Sequence, residues 1–241
     1  ISEIAGELGI PSDAVLPYGK YKAKIPLSEI KTNSPRGKLI VVTGITPTPA
    51  GEGKTTTTVG LAQGMGRIGK KVAATLREPS LGPIFGIKGG GTGGGISRVE
   101  PEDEVNIHFT GDAHAVGSAH NLLAALTDNV AQRRSIEGFS PVNVSLRRVT
   151  DVEERSLRNI VTGLGGSGNA PLRETGFDIV TASEVMAILA LCSSLDDLRT
   201  RLSHIVVGYL DSGEPVTAQD IGAVGSMMSL LRTAIQPNLV Q

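Results

Sequence analysis

The sequence predicts an α/β fold, a mostly parallel sheet flanked by helices, and three features carry that prediction. Lys38-Leu-Ile-Val-Val-Thr-Gly-Ile45 is a continuous β-branched run without polar alternation, the pattern of a strand buried on both faces of a parallel sheet. A Gly/Pro/Thr loop follows, then residues 55–69, where Val59, Ala62, Met65 and Ile68 recur at helical spacing. Lys71-Val-Ala-Ala-Thr-Leu76 reads as a second strand, so strand, loop, helix and strand make one βαβ unit.

The remaining elements are read in the same way. Residues 1–36 are expected to form a helical arm closed by the turn-type cluster Asn33-Ser-Pro-Arg-Gly37, and residues 37–241 a single larger α/β domain. Glu104–Phe109 is expected as a third strand, followed by a helix from Ala113 to Gln132. Further helices are expected over 153–164, 183–193, 195–204 and 226–235, with a strand at Ile205–Leu210. Ser194, with Asp197 three residues on, has the spacing of a capping arrangement. Gly60, Gly64 and Gly66 weaken the 55–69 helix by up to about 1 kcal/mol each, which implies close packing against it.

Bulk properties narrow the function. The 241 residues carry 39% hydrophobic and 20% charged side chains, enough apolar material for a core. A net charge of −1 argues against a general electrostatic grip on nucleic acid or an anionic membrane. No apolar run approaches the roughly 20 residues that span a bilayer, and Ile1–Gly9 carries acids and no basic n-region. The single Cys192, inside an apolar run, reads as a small core residue, and a reducing cytoplasm is the expected compartment. A chain that begins without Met and ends at Pro237-Asn-Leu-Val-Gln241 is expected to be truncated.

The strongest chemistry is Thr48-Pro49-Ala50-Gly51-Glu52-Gly53-Lys54-Thr55, between the first strand and the first helix. A phosphate-binding P-loop asks for G-x-x-x-x-G-K-[ST] in that context. Gly53, Lys54 and Thr55 satisfy it, whereas Thr48 stands in place of the first glycine. Gly51 and Gly53 let backbone N–H groups turn toward a phosphate, and the helix start adds partial positive charge. Lys54 would reach the terminal phosphates of ATP, and the Thr55 hydroxyl would join the shell of a bound Mg²⁺. The bland alternative, a Gly-rich turn with a solvated lysine, leaves a cation facing an unfavourable helix dipole. A P-loop NTPase-like (Rossmann-like) domain is the resulting expectation.

Arg77 and Glu78 follow the second strand, on the rim where ligands of parallel sheets bind. Lys54 and Arg77 together could neutralise a phosphoryl group and a carboxylate attacking it, while a local Arg77–Glu78 pair is the competing reading. Gly86–Ile96 holds seven glycines in eleven residues, expensive to order unless the backbone approaches a ligand or subunit closely. Asp112 could bind a cation or cap the helix beginning at Ala113. His108, His114 and His120 recur every six residues, which is not a zinc spacing.

Taken in order, Ile45–Thr56, Arg77-Glu-Pro-Ser-Leu-Gly-Pro83, Phe85-Gly-Ile-Lys-Gly-Gly90 and His108-Phe-Thr-Gly-Asp112 resemble formate–tetrahydrofolate ligase (formyltetrahydrofolate synthetase). Arg173–Ile179, Ala182–Ala187 and Ile235–Gln241 extend the resemblance across the chain. It implies an enzyme that phosphorylates formate with ATP and passes the formyl group to N10 of tetrahydrofolate. Lys54 and Arg77 would then hold the phosphoryl group and formyl phosphate, with residues 48–55 around the nucleotide. Glu78 and Asp112 would bind an activating monovalent cation (K⁺ or NH₄⁺), with Mg²⁺ arriving on ATP. A homo-oligomer is also implied, and the folate contacts would lie beyond residue 241. Where this chain has Gly91, Thr92 and Ile96, the family pattern carries two alanines and a tyrosine. Two rivals remain at this point: an ATP-driven switch that partitions cargo or matures metalloenzymes, and a non-catalytic nucleotide-binding module. The former carries a second lysine early in the loop, which positions 48–52 lack.

Overall fold

The computed structural model describes residues 1–30, 37–46, 48, 51–81, 91–152, 154–166, 168–169 and 172–241. In chain order they contain α1 (Ser2–Glu7), β1 (Leu16–Pro17), β2 (Ala23–Lys24), α2 (Lys54–Arg67), β3 (Gly93–Gly94), β4 (Ser97–Arg98) and α3 (Glu102–Ile107). There follow α4 (Asp112–Arg133), β5 (Arg148–Thr150), β6 (Ile160–Thr162), β7 (Arg173–Thr175), β8 (Phe177–Ile179), α5 (Glu184–Leu191) and α6 (Leu195–Ser203). The last elements are β9 (Val206–Tyr209), β10 (Pro215–Thr217), α7 (Val224–Leu231) and β11 (Asn238–Leu239). The fold is mixed α/β with small sheets. They group into two compact units, Ile1–Thr110 with Gln236–Gln241, and Gly111–Ile235.

In the first unit the two ends of the chain meet. β2 sits between β1 and β11, antiparallel to both, with Leu239 opposite Ala23. Ala5, Val15, Ala23 and Leu239 form a small buried cluster, with Ile1, Ile4, Ile10 and Ile25 packed around it. Lys24 is fully buried, and its ammonium donates to the Gln236 carbonyl at 3.2 Å. Lys22 pairs with Glu104 and donates to the Phe109 carbonyl at 2.9 Å, which fastens the segment around α3 to the N-terminal residues.

Three expectations change here. Residues 104–109, read as a strand, contain most of α3. Their apolar alternation is outweighed by Glu102, Asp103 and Glu104 in the first turn, where acids suit the helix dipole, and Val105 is the buried residue. Residues 38–45 and 71–76 enter no ladder among the described residues, and their apolar side chains are exposed, Leu39 at 89% and Ile45 at 101%. A run of this kind becomes a central strand only when other strands flank it, and among the described residues none does so. Among the described residues the parallel pairing is confined to β5 with β8.

The second unit is organised on α4. Its buried positions Val116, Ala119, His120, Leu123, Ala124, Thr127 and Ala131 follow one helical face. That face packs on α7, α5 and β5, while α6 packs on α5 and α7. The helix stops at Arg134, which turns into the left-handed region at φ 51° and donates to Ala131 O. Ser194 caps α6 as its spacing implied, accepting from Asp197 N at 3.1 Å, while the Asp197 carboxylate reaches back to Ser193 N. The expected helix over 153–164 gives way to β6, antiparallel to β7, because Ile160-Val-Thr162 is β-branched and Gly163 follows it. Cys192 ends α5, half-buried, its thiol pushed up by burial first and by Asp197 second.

Two polar connections cross this unit. Asp128 on α4 receives Arg148 of β5 and Arg173 of β7, each at 2.6 Å. His120 is buried, with Nε2 2.8 Å from Arg147 O and Nδ1 2.8 Å from Ser183 Oγ. A carbonyl only accepts, so Nε2 carries the proton and Nδ1 accepts from the serine hydroxyl. Ser183 in turn accepts from Val185 N–H and caps α5.

Burial lowers the His120 pKa, with the Arg147 carbonyl pulling the other way. The unfolded chain therefore takes up the proton first, near the ordinary imidazole value of about 6.5. The stability from neutral His120 is present above that pH and is lost as pH falls through it. Thermal unfolding followed from about pH 7.5 to about pH 5.5 should show this decline, and His120→Gln should flatten it. Asp128→Ala leaves two guanidinium groups without their shared acid and should lower the unfolding free energy by about 2 kcal/mol in a denaturant titration.

Candidate functional site

The glycines on either side of Glu52 set the path of the loop. Gly51 (φ +83°) and Gly53 (φ +72°) both occupy the left-handed region, which costs other residues steric energy. Gly51 N–H bonds Thr48 O, and Thr48 Oγ1 donates to Gly51 O, both at 3.1 Å. Gly53 is then the N-cap of α2, with no side-chain cap bond and no acid in the first turn. The α2 N-terminus is thus left with donors for an anion and the positive end of the dipole.

A carboxylate of the chain itself meets Lys54, the first residue of α2. Glu52 Oε1 accepts from Thr48 N at 2.6 Å, and Glu52 Oε2 is bonded by the Lys54 ammonium. The Lys54 ammonium first and Thr48 N–H second hold the Glu52 carboxyl below the usual carboxylate range, so it is charged at neutral pH. Thr55 is half-buried in the first turn of α2. Thr48, Gly51, Glu52, Gly53, Lys54 and Thr55 are therefore together, whereas Pro49 and Ala50 lie outside the described residues.

The other candidate residues lie outside the loop. Arg77 is exposed and Glu78 half-buried just after Leu76, in the same unit as the loop. Asp112 is buried and belongs to the second unit. It is the first residue of α4, and Gly111 takes the cap position, so the expected capping role passes to a residue without a side chain. Among the described residues no group of three or more His, Cys, Asp and Glu is placed to hold a metal ion, and no helix is long and apolar enough to cross a membrane.

The described end of the glycine tract has a structural purpose. β3 and β4 form a two-residue antiparallel hairpin laid on α2. A Cβ at Gly93 would lie 2.4 Å from Ser97 O and 3.0 Å from Val59 Cγ1, and one at Gly94 would lie 3.3 Å from Thr56 Cγ2. Close backbone approach to the helix behind the loop thus explains these two glycines; residues 82–90 of the tract are outside the described set. Ile96, at the hairpin turn, is 95% exposed. Gly60, Gly64 and Gly66, expected to mark tight packing, face no described atom within 4 Å. Gly44 went unnoticed in the sequence: a Cβ there would lie 3.2 Å from Glu52 Cγ. Its only sequence signal is a glycine inside a β-branched run, which often marks close approach.

The family model for formate–tetrahydrofolate ligase matches residues 1–241. The chain belongs to the formate–tetrahydrofolate ligase family. Proteins of that description from Maricaulis maris, Methylococcus capsulatus and Methylobacillus flagellatus are 57%, 56% and 55% identical to it. Each alignment covers 100% of this chain and 44% of the relative, so the chain spans less than half the length of the ligases it matches.

Gly93→Ala combines a positive φ of +105° with the Ser97 carbonyl clash and should cost about 2 kcal/mol or more in chemical denaturation. Gly95→Ala, at φ +65° with open space around it, should cost only about 1 kcal/mol.

Proposed function

We propose that the protein containing this chain is an ATP-dependent formate–tetrahydrofolate ligase and that this chain carries its ATP and formyl phosphate site. The observation that supports the reading most directly is the anion held by the loop. Lys54 and Thr48 N–H already bind a carboxylate at the uncapped start of α2, which is the chemistry a terminal phosphate requires. Membership in the ligase family supplies the reaction class.

In this reading residues 48–55 wrap the triphosphate, and Lys54 neutralises charge on its terminal phosphoryl group. A formate oxygen attacks the terminal phosphorus, the bond to the bridging oxygen breaks, and ADP leaves with the electron pair. Arg77 holds the formyl phosphate so formed, its planar fork matching either carboxylate or phosphate. N10 of tetrahydrofolate then attacks the formyl carbon, phosphate departs and N10 loses its proton. Mg²⁺ bound with ATP would screen the phosphate charge and be held in part by Thr55. Glu78 and Asp112 would bind the monovalent cation, K⁺ or NH₄⁺.

The finer architecture belongs to the same proposal. Residues 37–241 would be a P-loop NTPase-like domain preceded by the arm 1–36. Residues 38–45 and 71–76 would be strands of a mostly parallel sheet in the whole protein. Their exposed β-branched side chains support this, because such runs need strands on both sides. The full protein would be a cytoplasmic homo-oligomer acting on ATP, formate and tetrahydrofolate, without nucleic-acid or membrane partners.

Full-length protein given ATP and formate should accumulate an acyl phosphate that hydroxylamine traps as the hydroxamate. Lys54→Ala and Arg77→Ala should each lower the trapped yield per unit time by about a hundredfold or more, the usual cost of one preorganised charge contact. Undiminished trapping in either variant removes that residue from the mechanism.

A further inference from the structure

Glu52 takes the two donors that a terminal phosphate would need, the Lys54 ammonium and the Thr48 N–H. The side chain can do so because Gly51 and Gly53 turn the backbone left-handed on either side of it. It folds over Gly44, where a Cβ would meet Glu52 Cγ at 3.2 Å, Glu52 Cβ at 3.4 Å and Lys54 Nζ at 3.6 Å. Any other residue at 44 would crowd the Glu52 side chain at its Cγ.

We propose that Glu52 is a positioning residue that closes the loop on itself, so that a polyphosphate enters by displacing its carboxylate from Lys54. The proposal rests on the reading of the loop as a phosphate site. The exchange is favourable because a terminal phosphate offers more charge and three acceptor oxygens where the carboxylate offers one charge and two. Lys54 stays neutralised throughout, so the ammonium never faces the α2 dipole alone. Gly44 serves the closed state by leaving room for it. The consequence is a penalty on nucleotide binding set by a residue that makes no contact with the nucleotide while the loop is closed.

A brace and a latch predict opposite signs. If Glu52 merely holds the loop in shape, neutralising it weakens binding; if it competes with phosphate, neutralising it strengthens binding. Glu52→Gln is the discriminating change, because the amide oxygen can still accept from Thr48 N–H while the charge on Lys54 is released. Calorimetric titration of the full-length protein with inorganic tripolyphosphate and with Mg·ATP should show E52Q binding both about three- to tenfold more tightly, the range of an exposed ion pair with a charge-assisted hydrogen bond. Gly44→Ala crowds the closed arrangement without changing charge and should also tighten binding. In the double variant the gain should fall short of the product of the two, because both act on one closed state. Unchanged or weaker binding by E52Q, or fully multiplicative effects, overturns the latch. Lys54→Ala separates this outcome from failure of the phosphate site. Undiminished tripolyphosphate binding there removes the site itself, whereas lost binding with no gain in E52Q removes the latch alone.

Discussion

A lysine at the first position of a helix is disfavoured by the helix dipole unless an anion accompanies it, and the loop around Lys54 supplies one in Glu52. The α2 start has no side-chain cap and no acid in its first turn, so neither the dipole nor the ammonium is compensated within the helix. Compensation comes from a residue two positions earlier, which reaches back only because the chain turns left-handed before and after it. Glycine at 51 and 53, glutamate at 52 and glycine at 44 are therefore one device. Thr48, the departure from the ordinary phosphate-loop pattern, joins it by giving its N–H to Glu52 and its hydroxyl to Gly51 O.

The second unit meets the opposite problem, a group that must stay uncharged. His120 lies on the buried face of α4 among Val116, Ala119 and Leu123, where an imidazolium would be poorly solvated. Its two nitrogens are used by a carbonyl on one side and a hydroxyl on the other, which selects the neutral tautomer. The same serine caps α5, so one hydrogen-bond chain ties α4 to the start of another helix. Nearby, the charge of Asp128 is answered by two arginines from separate strands, which ties β5 and β7 to α4.

How far these features could be read from sequence depends on how local their causes are. The helices α2, α4, α5 and α6 and the strand β9 lie where apolar periodicity placed them, because each is decided within its own residues. The Ser194 cap is also local, and the structure contains it. The glycine–lysine–threonine spacing anticipated left-handed glycines and a helix beginning at Lys54, both of which are local properties of the chain. What the spacing did not carry is the return of Glu52 onto Lys54, which depends on a rotamer and on empty space over Gly44. Residues 104–109 misled because a short apolar alternation and a first turn of three acids occupy the same window, and the acids prevail. The runs 38–45 and 71–76 encode a preference for burial on both faces, but a ladder is a property of pairs of segments and cannot be read from either alone.

The glycine tract shows how the loop and its support are linked. A phosphate site needs an N-terminal helix turn that does not move when the anion arrives or departs, since affinity is lost to any reorganisation of the donors. In α2 Lys54 is followed by four threonines, Thr55 to Thr58, which favour helix weakly, and Val59 is the helix's buried residue. The weak stretch is held from outside: the β3–β4 hairpin lies against α2, where a Cβ at 93 would come 3.0 Å from Val59 Cγ1 and one at 94 would come 3.3 Å from Thr56 Cγ2, and Gln63 donates to Arg98 O one turn further on, at 2.7 Å. Backbone packed on a helix in this way leaves no side chain between them to change rotamer. The entropy spent in ordering those glycines is thus returned as rigidity directly behind Lys54, which is where the proposed exchange of one anion for another would least tolerate play.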